Sequence, residues 1–443
     1  MMGVLSGPAF AFLYTFLGIP FAMLAERRSR TWIISGAMAA WSAMTVACGM
    51  AQTSWQFFFA RMGVGIGEAG CSPPSHSLIS DYFPPESRTS ALGIFALGIP
   101  VGTMLAALGG AWIATQGGLN WRDAFIFMGL PGIFGAIIFK LTVKEPPRGY
   151  SDPGGAARLA AKDKPGIFEA FGVLARKRSF WHVSLGGAIA SFTGYGIGQF
   201  VPSFWIRAHG LDLMTAALIF GGVLGLAAGV GTFGSGIVAD RVRARHPNSD
   251  SWLPAIGLSV CVPFALFGYN TLSFSTGTLA ITLAVPALAI SAVLRYSYLA
   301  PMFSVTQKLA PPRMRATAAA LMLFVVNLIG YGAGPPVIGW ISDQGTAWQL
   351  RQLDAPLTAS DCGPIERALK AAADNRGGDI SASELQTMSL QNATYCAPAR
   401  KTGVRWGVSI GILFLLWAAL HFLLLRRTMK DDLWSPTEAK ASV

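Results

Sequence analysis

Residues 61–70 read RMGVGIGEAG. Gly65, Gly67 and Gly70 stand in the spacing G-x-G-x-x-G, the glycine pattern of a dinucleotide-binding turn. Such a turn needs a strand ahead of it and a soluble βαβ unit around it. Here the glycines lie inside an apolar run that holds two full charges, Arg61 and Glu68. The surroundings decide the reading. The 443 residues are 52% hydrophobic and only 13% charged, with a mean hydropathy of +0.48, whereas soluble domains carry about 25% charged residues. The charges gather in short clusters, and the apolar stretches between them run to about 20 residues, enough to cross a hydrocarbon core ~30 Å thick. RMGVGIGEAG is therefore part of a membrane helix, and the chain is an all-α polytopic membrane protein.

About eleven spans are expected, near 3–24, 31–50, 55–79, 89–115, 122–143, 180–206, 213–239, 252–272, 277–306, 316–341 and 404–425. With loops assigned alternately to two sides, one side collects 22 of the 34 Lys and Arg. By the positive-inside rule that side is cytoplasmic, which places the chain in a plasma (inner) membrane, multi-pass, with its C-terminus inside. The net charge of +12 is then a topological signal and calls for no nucleic-acid partner. Met1 falls outside under the same assignment. An odd span count with an external start leads to the expectation that one span is missing.

The cytoplasmic loops repeat. AMLAERRSR (22–30) follows the first span and GIVADRVRAR (236–245) the seventh; each sets a small residue four before an acid, then arginines. PPESRTSA (84–91) matches PPRMRATA (311–318), and the step in numbering from Pro84 to Pro311 equals that from Arg88 to Arg315. Two motifs repeated in one order and at one constant offset mean duplicated halves, a mark of secondary transporters. The expected division is a first half at 1–143, a basic linker at 144–179, a second half at 180–426 with an external loop at 344–402, and a tail at 427–443.

These loops, the linker and the halves resemble the major facilitator superfamily. GVLSGPAFAFLYTFLGIPFAMLAERRSR (3–30), GIGEAGCSPPSHSLISDYFPPESRTSALGIF (65–95) and NLIGYGAGPPVIGWISD (327–343) resemble the Spinster family within it. The resemblance implies a major facilitator fold of two pseudo-symmetric six-helix halves, with helix 1, and an acid expected on it, absent from this chain. It also implies that Glu26 and Asp240, with Arg27, Arg30, Arg88, Arg241 and Arg315, gate the cytoplasmic side by bridging the halves.

An ionisable residue at the centre of a span costs at least ~2.5 kcal/mol and is functional by default. Arg61, Glu68, Arg295 and, near a span end, Lys140 are the candidates. Arg61 and Glu68 are seven residues apart, so they share a helix face but stand roughly 10.5 Å apart along the axis; each is expected to find partners on other helices. Gly63 and Gly67 form G-x-x-x-G, which admits close helix approach. Pro73 and Pro74 are expected to interrupt the helix and free carbonyls beside Glu68. A glutamate held between burial and a guanidinium is suited to bind and release a proton, so Glu68 and Arg61 form the expected proton-coupling pair. Arg295 lies sixteen residues before Pro311, as Glu68 does before Pro84; the equivalent positions carry opposite charges. A basic group there suits an anionic substrate. Arg61, Tyr195, Gln199, Asn327 and His76 complete the expected substrate-binding set, with the Gly-Pro step after Asn327 read as a hinge.

In the linker, Ile167, Phe168, Phe171 and Leu174 share one helical face ahead of Arg176, Lys177 and Arg178, which suits a helix lying on an anionic membrane surface. Cys362 and Cys396 fall in the external loop, where a disulfide is permitted; Cys48, Cys71 and Cys261 fall in spans. NRGGDISASE (375–384) echoes an EF-hand loop but lacks two oxygen ligands, so no calcium site is expected. The sequence holds no metal cluster, Walker loop or nucleophile triad, so no cofactor and no enzyme activity are expected. The expected function is secondary active, proton-coupled transport by a monomer. The resemblance implies an amphipathic, anionic, lipid-like substrate of the sphingosine-1-phosphate or lysophospholipid type. A proton symporter of a small organic or sugar acid is the alternative, and a non-transporting receptor or sensor is the alternative of another class.

Overall fold

The computed structural model describes residues 8–115, 119–152, 167–273, 275–373 and 380–434. Regular structure in these residues is helical throughout. The first half contains α1 (Pro8–Arg27), α2 (Arg30–Met50), α3 (Ser54–Ala69), α4 (Ser72–Tyr82), α5 (Arg88–Ala96), α6 (Gly98–Thr115) and α7 (Trp121–Thr142). After the linker helix α8 (Ile167–Ala175) come α9 (Arg178–Gly198), α10 (Val201–His209), α11 (Leu213–Ala217), a π-helical stretch Leu218–Leu224 and α12 (Gly225–Arg243). The chain ends through α13 (Ser249–Tyr269), α14 (Gly277–Arg295), α15 (Leu299–Leu309), α16 (Arg315–Gln352), α17 (Ala359–Ala373), α18 (Ala382–Gln391) and α19 (Ala397–Asp432).

Helix starts follow local chemistry. Thr53 with Gln56, and Asn120 with Asp123, form reciprocal capping boxes that satisfy the first free N–H groups of α3 and α7. Among the described residues, eight helical runs are long and apolar enough to cross a membrane. The other expected spans, at 3–24, 55–79 and 180–206, are helical over α1, α3–α4 and α9–α10.

Both halves repeat one irregularity. The span at 55–79 is broken between Ala69 and Ser72, and that at 277–306 between Arg295 and Leu299. The second segments open at Ser72 and Leu299 and close at Tyr82 and Leu309. Both pairs are related by the offset that relates Pro84 to Pro311, so the breaks are equivalent. At the first break Gly70 N–H bonds the Gly67 carbonyl and Cys71 N–H bonds the Glu68 carbonyl, both at 3.1 Å. Those turn bonds use the Gly67 and Glu68 carbonyls, and Pro73 and Pro74, in the first turn of α4, bring no N–H to the Ala69 and Gly70 carbonyls four residues before them.

Two further expectations concern the later helices. The Gly-Pro step at 334–336 is no hinge here, because α16 runs unbroken through Pro335 and Pro336. A Cβ on Gly334 would meet the Phe192 carbonyl at 2.6 Å, so α9 lies tight against this step. The described residues of 344–402, expected as an external loop, are largely helical: α16 continues to Gln352, and α17, α18 and the start of α19 account for most of the rest. The Cys362–Cys396 disulfide ties α17 to the root of α19 over a small core of Leu350, Ile365 and Ala399. The EF-hand-like stretch lies partly outside the described residues.

The halves meet along two seams, α1 against α16 and α5 against α12. Small residues make the approach possible. Gly236 puts α12 against the backbone of Thr89 and Ser90, where a Cβ would fall 2.9 Å from the Thr89 carbonyl. Ala22 and Ala25 pack against Ala316 and Ala320 on the other seam. Within the first half, Gly67 seats α3 on the backbone of Trp41 in α2, as the G-x-x-x-G spacing anticipates.

Candidate functional site

A cavity of about 600 Å³ lies between the halves. The α3–α4 break contributes Cys71, Ser72 and His76 to its wall, the α14–α15 break Arg295, Tyr296 and Tyr298, and α9 contributes Ser191, Tyr195 and Gln199. Phe220 and Leu224 of the π-helical stretch add apolar wall, as do Leu288, Leu299, Met302 and Phe303. Arg295, His76, Tyr195, Gln199 and Asn327 of the expected substrate set therefore share one cavity. Arg61 does not line it, and neither does Glu68; both are half-buried on α3, behind the break. Arg61 belongs to the expected substrate set but is not among the residues of this wall.

Among the described residues, Arg295 is the one arginine or lysine in that wall. Its guanidinium lies 5.0 Å from the Tyr296 ring centroid, a cation–π arrangement. Among the described residues no carboxylate forms a salt bridge with it. The residue is half-buried, and a charge held in a mainly apolar wall is ordinarily paired. His76 is 1% exposed. Its ring packs 4.3 Å from Phe303 and 5.3 Å from Phe95, centroid to centroid. Neither ring nitrogen has a hydrogen-bond partner among the described residues. Asn327 is nearly buried; Tyr195 stacks edge-on to Tyr331 at 5.0 Å.

Below the cavity, at the end where the basic loops cluster, a polar network joins the halves. Glu26 accepts the Thr317 N–H at 3.1 Å, at the start of α16. Asp240 accepts the Ser90 N–H and hydroxyl at 2.6 Å, at the start of α5. Ser90 and Thr317 are equivalent under the half-to-half offset, so the two acids cap equivalent helix N-termini, each in the opposite half. An anion is favoured there by the free N–H groups and the helix dipole. The small residue four before each acid is what seats the capped helix.

Arg30 and Asp81 are both fully buried and paired. Arg30 also donates to Glu145 at 2.7 Å and Ser77 at 3.1 Å. Asp81 accepts from Arg315 at 3.3 Å, across the seam, and from the Gly149 N–H at 2.8 Å. Asp152 joins Arg88 at 2.9 Å to Arg315 at 2.8 Å. In the second half Asp250 holds Arg243 at 2.9 Å and also pairs with Lys308. Arg243 reaches the Pro85 carbonyl at 2.9 Å and bonds the Thr89 hydroxyl. Thr89 bonds Ser304 at 2.7 Å, and Ser80 bonds Gln307 at 3.3 Å.

Glu26, Arg30, Arg88, Asp240 and Arg315 of the expected gating set thus converge. Arg27 and Arg241 do not: both are exposed, and their neighbours Arg30 and Arg243 face the seam instead. The sequence reading missed Asp81, Glu145, Asp152, Arg243, Asp250 and Lys308. Asp81 and Lys308 are equivalent in the two halves and opposite in charge, the same signal that singles out Glu68 and Arg295. Glu145 and Asp152 belong to the linker, which has no repeat to betray them. Residues 144–152 form a strap across the network: Tyr82 bonds the Lys144 carbonyl at 2.6 Å, and Ser151 bonds the Ser80 and Phe83 carbonyls at 2.9 Å. Burial pushes the Glu145 and Asp152 carboxyls up, but hydrogen bonds and charge from Thr31 and Arg30, and from Arg315 and Arg88, hold both below the usual carboxylate range.

The linker helix, expected on a membrane surface, also touches protein. Ala170 and Leu174 are buried against α9 and α16 while Phe171 stays 44% exposed, so α8 docks on protein. The side chains of Ile167 and Phe168, and residues 153–166, lie outside what is described. Lys140 sits near the basic end, over the Trp32 ring at 4.5 Å.

Two helical halves, a cavity between paired helix breaks and a tied end define a membrane transporter of the alternating-access type, not an enzyme. The chain belongs to the Major Facilitator Superfamily, whose sequence model matches residues 2–335. An MFS-type efflux pump of Mycolicibacterium smegmatis is 32% identical over 345 residues, 78% of this chain and 76% of the pump. Spinster homolog 3 of Danio rerio is 29% identical over 364 residues, 77% of this chain and 70% of that protein. A solved bacterial homolog of the human lysosomal transporter Spinster, inward-facing and unoccupied, is 35% identical, covers 98% of this chain and 90% of its own, and superposes with a TM-score of 0.69.

Proposed function

We propose that this protein is a proton-coupled transporter of an amphipathic anion of the lysophospholipid or sphingosine-1-phosphate type. The observation that carries the reading is Arg295, a cation with no carboxylate bridged to it among the described residues, in a cavity whose wall is otherwise mainly aromatic and aliphatic. The guanidinium suits a phosphate head group, which it meets with two parallel hydrogen bonds; the apolar wall suits a single acyl or sphingoid chain. The likeness to Spinster homologues supports the lipid-like class. Glu68, with Arg61 two turns before it, is the proposed proton-carrying residue, one turn from a helix break that opens on the cavity. Tyr195, Gln199 and Asn327 shape the chamber around the ligand.

Glu26, Asp240, Arg30, Arg88 and Arg315 are proposed as the cytoplasmic gate of a monomer in the plasma membrane, with Arg27 and Arg241 serving orientation under the positive-inside rule. The first half, the linker strap and the second half are then the moving parts.

The test is ligand selectivity. Affinity is measured for oleoyl lysophosphatidate and for its neutral alcohol, monooleoylglycerol, in wild type and Arg295→Lys. Lysine cannot reproduce the bidentate fork, so the phosphate ligand should lose about 1–3 kcal/mol, the scale of a hydrogen bond to a charged group, while the neutral one loses little. Equal losses for both ligands refute a head-group role.

A further inference from the structure

The wall of the cavity toward the basic end is made by a cross-half pair. His76 and Phe303 hold equivalent positions on α4 and α15 under the half-to-half offset, and their rings meet at 4.3 Å. Phe95 closes the third side at 5.3 Å from His76. Further along the same helices lie the polar contacts of the tied end: Ser77 with Arg30, Ser304 with Thr89, and Ser80 with Gln307. A plug of three rings thus separates the cavity from the network. Two of the rings are phenyl groups. The third is an imidazole, 1% exposed, with both nitrogens lacking a hydrogen-bond partner among the described residues.

As packing this is poorly made. A phenyl ring at position 76 would fill the same place without stranding two polar atoms. Arg295 stands eight residues before Phe303 on this arm, at the break, whereas Phe303 lies within α15 beyond it. His76 and Arg295 belong to opposite halves: Arg295 stands at the break of one arm, and His76 packs against Phe303 in the plug, toward the basic end.

We infer that His76 is a second polar station on the transport path. It is sealed while the basic end is tied, and it offers a hydrogen bond to the ligand's anionic head group when the plug parts and the ligand crosses between the cavity and the basic end. This rests on the anionic-ligand reading of the cavity. Charged and titratable groups on the elements packed around His76 include Cys71, Asp81 and Tyr82 on its own arm, Tyr14 and Glu26 on α1, Arg30 on α2, Arg61 and Glu68 on α3, Arg88 on α5, Arg295, Tyr296, Tyr298 and Lys308 on the opposing arm, and Arg315 and Tyr331 on α16. Asp81, Arg88 and Lys308 are engaged in the network below. The exchange needs no change of protonation, since a neutral imidazole donates through one nitrogen.

The experiment compares wild type, His76→Phe and His76→Gln in proteoliposomes, using oleoyl lysophosphatidate and monooleoylglycerol as probes. Two quantities are read for each: equilibrium affinity from the cavity side and the maximal rate of transfer. His76→Phe should keep affinity within about twofold, because Arg295 is untouched. It should slow lysophosphatidate transfer about tenfold or more, with little effect on the neutral probe. His76→Gln, which restores a polar group but no aromatic ring, should recover most of the rate. If His76→Phe carries lysophosphatidate at the wild-type rate, His76 is packing and the inference is overturned. If affinity and rate fall together in His76→Phe, or Gln fails to rescue, it is overturned as well. A wild type that shows no preference for the phosphate probe overturns the reading of the cavity itself; a preserved Arg295 selectivity with an inert His76 removes only the second station.

Discussion

Asp81 shows how much one side chain decides here. It is fully buried, lies three residues before Pro84 and sits between the guanidiniums of Arg30 and Arg315. Removing one member of a buried ion pair leaves the other uncompensated, at a cost of about 3–5 kcal/mol. Asp81→Asn keeps the shape and loses the charge. It should lower the thermal midpoint of the purified protein by several degrees, whereas Arg27→Gln, at an exposed site, should leave the midpoint unchanged. An unaltered midpoint in Asp81→Asn would contradict the assignment. The candidate residues are legible in the sequence to unequal degrees. Glu26, Asp240, Arg88 and Arg315 stand out because their motifs recur, and Arg295 because an isolated charge in an apolar run is expensive. Asp81 escapes notice because it adjoins a loop, where charge is cheap; only its burial under Arg30 and Arg315 shows otherwise.

At the scale of elements, the strap 144–152 ties the two seams together through acids. Glu145 and Asp152 have carboxyls held below their ordinary values, so the folded state favours their ionised forms. Such groups stabilise the tied state fully above the ordinary carboxylate range, near pH ~4, and the contribution is lost as pH falls through their lowered folded values. Spin labels at Arg27→Cys and Arg241→Cys, exposed positions in opposite halves, read the separation of the basic ends. Measured in a Glu68→Gln, Glu26→Gln background, which removes the proposed coupling site and the gate carboxyl of Glu26 while leaving an oxygen to cap α16, the distance should hold from pH ~7 to ~5 and widen only below about 4, where carboxylates ordinarily titrate. Widening between neutral pH and that range would count against these acids as the tie. Element boundaries are readable where caps, prolines and charge clusters mark them. The paired breaks are half-readable: Gly70 with Pro73 and Pro74 announces the first, whereas SAVLRYSYLAP (291–301) keeps only Pro301, the equivalent of Pro74, and has no glycine at the break. The Gly-Pro step misleads because a proline's effect on a membrane helix depends on what packs against it, and α9 lies tight against that step.

For the molecule as a whole, the duplication explains most of what is seen. It sets opposite charges at equivalent positions twice, Glu68 with Arg295 near the breaks and Asp81 with Lys308 at the tied end. It also has each half cap a helix of the other. The present state is tied at its basic end, while the bacterial Spinster homolog it resembles was solved inward-facing; alternating access requires both kinds of state. The two-half architecture is legible from the constant offset between repeated motifs alone. The helicity within 344–402 is not, because its helices are short and polar and take their order from a disulfide and a small core.

The central claim is that a proton gradient drives an anionic amphipath through this cavity by way of Glu68. Its most direct measurement is net accumulation of oleoyl lysophosphatidate in proteoliposomes, with and without a one-unit pH gradient, in wild type and Glu68→Gln. The account predicts that the gradient drives accumulation in wild type, that monooleoylglycerol is not accumulated, and that Glu68→Gln still binds the phosphate lipid while its flux no longer responds to the gradient. Wild-type flux indifferent to the gradient, or a Glu68→Gln protein that responds as wild type does, would contradict it.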